Sequence, residues 1–130
     1  MTLPEDLLTL LHARSHCFIA TLMPDGSPQL TQVWVDTDGE YVVINSVDTH
    51  LKVRNIRRDP RVAVTVADPA NPTHYFQVRG RASVSRDGAA EHIESLSQKY
   101  TGRPYAWYGG RDQVRVILTI EADSVSEFGR

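Results

Sequence analysis

"HCFIATLMPDGSPQLTQVWVDTDGEYVVINS", His16 to Ser46, decides the fold. Two Asp-Gly pairs, Asp25-Gly26 and Asp38-Gly39, divide it into three runs rich in β-branched and aromatic residues. Asp-Gly tolerates positive φ and favours tight turns between antiparallel strands. The stretch therefore reads as a three-strand meander: HCFIATLM, PQLTQVWVD and YVVINS. In the second run Thr31, Val33 and Val35 share one face, and Leu30, Gln32 and Trp34 the other. The third run is mostly apolar on both faces.

Working outward, TLPEDLLTLLHAR reads as a helix, with Thr2 and Glu5 at capping-box spacing and Leu7, Leu8 and Leu11 as its apolar stripe. After the meander, THLKVRNIRRDPRV (Thr49 to Val62) predicts a short helix capped by Thr49 and stopped at Asp59 by Pro60. RVAVTVAD follows as a strand. THYFQVRGRASVS follows as a long alternating strand, with Gly80 marking a bulge or a barrel corner. DGAAEHIESLSQKY predicts a helix capped by Asp87. TGRPYAWYGGRD is loop, VRVILTIE is the last clear strand, and VSEF adds a short edge. The fold class is mainly β with flanking helices: an antiparallel sheet or closed barrel of about six strands in one domain spanning 1–130.

Bulk properties exclude several classes. A net charge of −2 argues against a sequence-independent nucleic-acid binder. The single cysteine, Cys17, allows no internal disulfide and suits a reducing, cytoplasmic setting. No apolar run approaches a membrane span, and the N-terminus has no signal-peptide pattern. His12 and His16 sit near Cys17, but a closed metal site needs about four ligands, so no metal is expected. His74 and His92 read as surface or strand-end residues. G-x-S-x-G, Walker A and G-x-G-x-x-G motifs are absent.

The basic segment then stands out. Projected at 100° per residue, His50, Arg54, Arg57 and Arg58 form one solvated stripe. Lys52 falls on the opposite side with Asn55 and Ile56, pointing along the protein body. A cation in the first turn of a helix opposes the macrodipole by about 0.3–1 kcal/mol. Free amides and a lysine at a helix start suit an anion, phosphate above all, with Asn45 and Ser46 able to add polar contacts. A purely structural helix is the competing reading.

The ordered set, above all "ATL..DG.PQ" and "K.RN.RRDPRV", resembles the pyridoxamine 5'-phosphate oxidase-like split β-barrel family, in particular its coenzyme F420-dependent (deazaflavin) branch. The resemblance covers nearly the whole chain. It implies a homodimer with cofactor sites at the interface, and a cofactor phosphate held by Lys52 and His50. It implies polar contacts from Asn45 and Ser46, backbone contacts from Gln32, Val33 and Trp34, and a contact near Tyr75 from the partner subunit. His50 stands where arginine or serine is commoner. The resemblance implies an oxidoreductase passing hydride between F420 and a small organic substrate, with the cofactor carrying the redox chemistry. No catalytic acid or base is assigned; Tyr75 is the side chain able to donate a proton if it faces the ring. Nothing resembling the longer C-terminal segment of the true oxidases follows VSEFG, which argues against pyridoxamine phosphate oxidation. FMN in place of F420, a non-catalytic flavin- or haem-binding role, and a nucleic-acid module using the arginine stripe are the alternatives.

Overall fold

The computed structural model describes residues 1–130. Ten elements follow in order: α1 (Glu5–His12), β1 (His16–Leu22), β2 (Pro28–Val33), β3 (Val35–Thr37), β4 (Val42–Val47), α2 (Leu51–Arg58), β5 (Arg61–Ala67), β6 (Tyr75–Ser85), α3 (Ala89–Thr101) and β7 (Arg115–Phe128). All seven strands join one antiparallel sheet in the order β2-β1-β5-β6-β7-β4-β3.

The expected meander is broken in its middle run. β2 pairs with β1, and β3 pairs with β4, at opposite ends of the sheet. Only Trp34 separates them in sequence. A sheet whose two edges lie one residue apart must curl until those edges meet, and the result is a split barrel. This break accounts for seven strands where about six are expected. Alternation reveals which face a residue takes, not which edge its strand joins.

The core fills the curl. Alternate residues of each strand point inward, among them Cys17 and Ile19, Val64 and Val66, Phe76 and Val78, and Leu118 and Ile120. Leu7 and Leu11 of α1 and Val53 and Ile56 of α2 close its ends. β4 is buried at every position, because α3 covers its outer face. Both Asp-Gly turns form; Asp38 Oδ1 accepts from the Glu40 and Tyr41 amides, both at 2.9 Å.

Gly80 is a bulge site, as its place in the sequence predicts. The β6–β7 register shifts between Arg79 and Gly80, leaving Asp123 without a partner. A Cβ on Gly80 would lie 2.0 Å from the Glu121 carbonyl oxygen, so only glycine lets the two strands approach. VSEF is not a separate edge, since β7 runs unbroken through Phe128 by pairing with β6.

The three predicted side-chain caps are corrected. α1 starts after Pro4, α2 after His50 and α3 after Gly88, and none has a side-chain cap hydrogen bond. Thr2, Thr49 and Asp87 each lie one or two residues too early to act as N-cap. His92 is also corrected: it is largely buried on α3 rather than at the surface. No helix is long and apolar enough to cross a membrane.

Candidate functional site

A cavity of about 560 Å³ lies at the barrel seam, between the β2–β3 break and α3. Gln32, Val33 and Trp34 line it from the seam, Asn45 and Ser46 from β4, and His50 and Lys52 from the start of α2. These are seven of the eight residues expected at a ligand site. Tyr75, the eighth, is elsewhere in this chain. It opens β6 and stacks on Phe128 with ring centroids 5.0 Å apart.

The aromatic wall is rigid. Trp34 stacks on Tyr100 of α3, centroids 5.4 Å apart and planes 7° from parallel. The Tyr100 hydroxyl donates to Ser15 O at 2.7 Å and accepts from the Val35 amide at 3.2 Å, fixing the seam at both sides of the break. Burial pushes the Tyr100 phenol up to about 12, so it remains a neutral donor. Lys99, next to it, donates to Leu11 O and Val35 O, tying α3 to α1 and β3.

The loop after α3 forms the far side. Glu94 accepts from the Tyr105 amide and from the Trp107 indole N–H, each at 2.9 Å. Those two bonds hold the Glu94 carboxyl below its usual range. They also set Tyr105 and Tyr108 at the cavity margin.

Electrostatics distinguish this cavity most clearly. Lys52, Arg115, His50, Arg14 and His16 line it, and no carboxylate does. Lys52 lies inward, as the helical projection predicts. It makes no ion pair, and its Nζ has only Ser46 Oγ, at 3.4 Å. Burial, and then the Arg115 charge, pull the Lys52 ammonium below its usual range. Burial, Lys52 and Arg115 likewise lower His50. His50 Nδ1 lies 3.4 Å from Ser46 Oγ. His50 therefore lines the cavity while remaining exposed; its extended backbone (φ −65°, ψ 149°) places it before the helix, where the projection does not apply. The amides of Leu51 and Lys52 have no protein acceptor, so the helix start offers N–H groups as well as charge.

Arg115, the first residue of β7, is absent from the sequence reading. Its Nε donates to Asn45 Oδ1 at 2.8 Å, and its guanidinium lies 5.3 Å from the Tyr105 ring centroid. The available signal was weak: one arginine opening an alternating strand. Tyr100 and Tyr105 were also missed, because only the tertiary fold brings them to Trp34. Chemically, the cavity joins an anion-binding pole to a flat aromatic wall. That fits a phosphorylated, ring-bearing ligand.

The fold and cavity define a split-barrel binding protein. The family described as "Pyridoxamine 5'-phosphate oxidase" matches residues 3–128, and the chain belongs to that family. Among solved structures, one titled "F420 Reductase" is 32% identical, with a TM-score of 0.80, covering 95% of this chain and 98% of that one. Conserved hypothetical protein Rv2991 from Mycobacterium tuberculosis is 24% identical, with a TM-score of 0.77, covering 98% and 85%. A putative pyridoxamine 5'-phosphate oxidase from Listeria innocua shares the fold at 20% identity and a TM-score of 0.72, covering 95% of each chain.

Proposed function

We propose that this chain is an oxidoreductase that transfers hydride between coenzyme F420 and a small organic substrate. The observation that carries the reading is Lys52, an unpaired, half-buried cation beside Arg115 in a cavity without carboxylates. Leaving such a charge unmatched is costly, and an anionic ligand relieves the cost. Similarity to a structure titled F420 Reductase over 95% of the chain supports the deazaflavin in particular.

The residues present fit such a group. Lys52, His50 and the free amides at the start of α2 would hold its phosphate. Gln32, Val33 and Trp34 would lie along its ring system. Bound there, the deazaflavin would supply the two-electron hydride chemistry. The chain's own part is to bind, to orient and to exclude water. Trp34, braced by Tyr100, gives a wall that does not yield, and Tyr105 and Tyr108 cover the opposite margin.

A homodimer belongs to the same reading. Phe18 is 39% exposed and Leu30 66% exposed on the outer face of β1 and β2, the strands that reach the cavity. A second copy covering this face would bury them and could bring its own Tyr75 toward the ring.

The test is a titration of purified protein with F420 and, separately, with FMN, followed by fluorescence. The expected result is saturable F420 binding, tighter than FMN, and weakened about tenfold or more by Lys52→Ala. Tighter FMN binding would transfer the reading to a flavin oxidoreductase. Binding of neither, or binding indifferent to Lys52→Ala, defeats it.

A further inference from the structure

Asn45 lines the cavity, yet its amide is already committed. Nδ2 donates to Ala89 O at 2.8 Å and to His92 Nδ1 at 3.1 Å, while Oδ1 accepts from Arg115 Nε at 2.8 Å. These partners fix the orientation of the amide. Turned over, its NH2 would face the Arg115 N–H and its carbonyl would face Ala89 O. Two hydrogen bonds would become two repulsions. With Nδ2 as donor, His92 Nδ1 must accept, so neutral His92 carries its proton on Nε2. That nitrogen is buried without a hydrogen-bond partner, 3.8 Å from Asp36 Oδ2.

We propose that Arg115 is a second anion-holding residue of the cavity beside Lys52, and that Asn45, its amide oriented by His92 Nδ1, is the positioning residue that aims it. The inference rests on reading the cavity as an anion site. Arg115 is half-buried and makes no ion pair. Its Nε is taken by Asn45, and one terminal nitrogen donates to the Tyr105 hydroxyl at 3.3 Å. The remaining N–H groups are free for an oxyanion, and the planar guanidinium presents them as a fork. Lys52 and Arg115 line the same volume with no carboxylate between them. Two unmatched cations suit a tetrahedral dianion of the phosphate or sulfate class.

The arrangement links the site to the protonation of His92. A second proton on the ring must go to Nδ1, turning that nitrogen from acceptor to donor against the Asn45 NH2. The amide then has to turn, and Arg115 loses its acceptor. The charged group nearest His92 is Asp36 from β3, and Asp38, just beyond β3, lines the same cleft; β4 presents Asn45, and on that side β7 contributes Ile117 and Thr119. Lys99, on the helix of His92 itself, acts on Asp36. Around Arg115 stand His50 and Lys52. His50 works in the opposite direction, since its protonation adds positive charge to the cavity.

The experiment is calorimetric titration of the full chain with sulfate, a dianion throughout the range of about pH 5 to 8 in which histidine changes charge. Wild type, Arg115→Met, Arg115→Lys and His92→Gln are compared. Arg115→Met is expected to weaken sulfate about tenfold or more, with Arg115→Lys between it and wild type. The wild-type affinity divided by that of His92→Gln is expected to fall as pH falls. This ratio cancels His50, which both proteins share. Equal affinity of Arg115→Met and wild type overturns the clamp, and a ratio that ignores pH overturns the positioning role. A wild-type chain that binds no sulfate overturns both. Arg115-dependent sulfate binding by a chain that ignores F420 and FMN keeps this inference and defeats the proposed function. F420 binding that needs Lys52, in a chain whose sulfate affinity ignores Arg115, does the reverse.

Discussion

Two groups of positive charge lie on either side of α2, and they are satisfied in different ways. On the outer side Arg57 and Arg86 converge on Asp48, at 2.6 and 3.3 Å. Arg58 is tied to Leu22 O and to Asn55, and Arg61 pairs with Asp59 at 2.7 Å. On the inner side Lys52 and Arg115 share a cavity with no carboxylate at all. The outer group is more exposed, so it needs partners less, yet all of it but Arg54 has them. The inner group is more buried, so it needs partners more, yet it has none. Stability alone would arrange the charges the other way round. The difference separates charge kept for solubility from charge kept for a ligand.

That contrast can be broken by experiment. The largest effect is expected from Lys52→Ala, which should weaken F420 binding by about tenfold to a hundredfold while leaving the thermal midpoint of the free protein unchanged or higher. Fluorescence titration and a melting curve measure the two. A lowered midpoint would mean that Lys52 is structural. Next is Ser46→Asp, which places a carboxylate beside Lys52 and imitates the missing partner. Binding should fall about tenfold or more, and the free protein should melt higher.

A smaller effect concerns pH. Lys52 in the folded chain lies below lysine's usual 10.5, so folding opposes its protonation. The penalty is present in full below the folded value and fades as pH rises toward 10.5. In the ligand-free protein, Lys52→Met should therefore exceed wild type in stability at neutral pH, and the two should converge in alkali. Denaturant titrations across pH measure the gap, and a gap that widens in alkali contradicts it. His50 works in the same direction in acid. Its folded value is below 6.5, so stability should decline as pH falls through it, with bound sulfate offsetting the loss. Smallest is Arg57→Ala. Breaking this outer pair should leave F420 affinity within about twofold. A larger change would bring the two groups of charge into one site.

Much of this was legible in advance. Strand-rich runs, Asp-Gly turns, the bulge at Gly80 and the inward side of Lys52 all follow from local pattern. What escaped is what only distant contacts decide. Trp34 sits in a run that reads as one continuous strand, so nothing local shows that its strand changes edges. Arg115 lies 63 positions after Lys52, and neither residue's neighbours betray the other. His50 is exposed as the projection has it, but it also lines the cavity, which a projection extended one residue past the helix does not show. The caps failed because the helices begin after Pro4, His50 and Gly88, where backbone geometry rather than a side chain starts the turn.

The break at Trp34 also bears on how the chain can be cut. β2 and β3 share no ladder; the peptide through Trp34 is their link along the chain, and Tyr100 is the brace beside it. Joining residues 1 and 130 by a linker and opening the chain at Trp34 would keep every strand pairing of the sheet. Barrel closure between neighbours in sequence requires almost no loop entropy, whereas in the permutant it would fall to side-chain packing alone. Such a protein would retain its sheet and lose the covalent hinge of its cavity, turning a closed vessel into a leaf with two free edges.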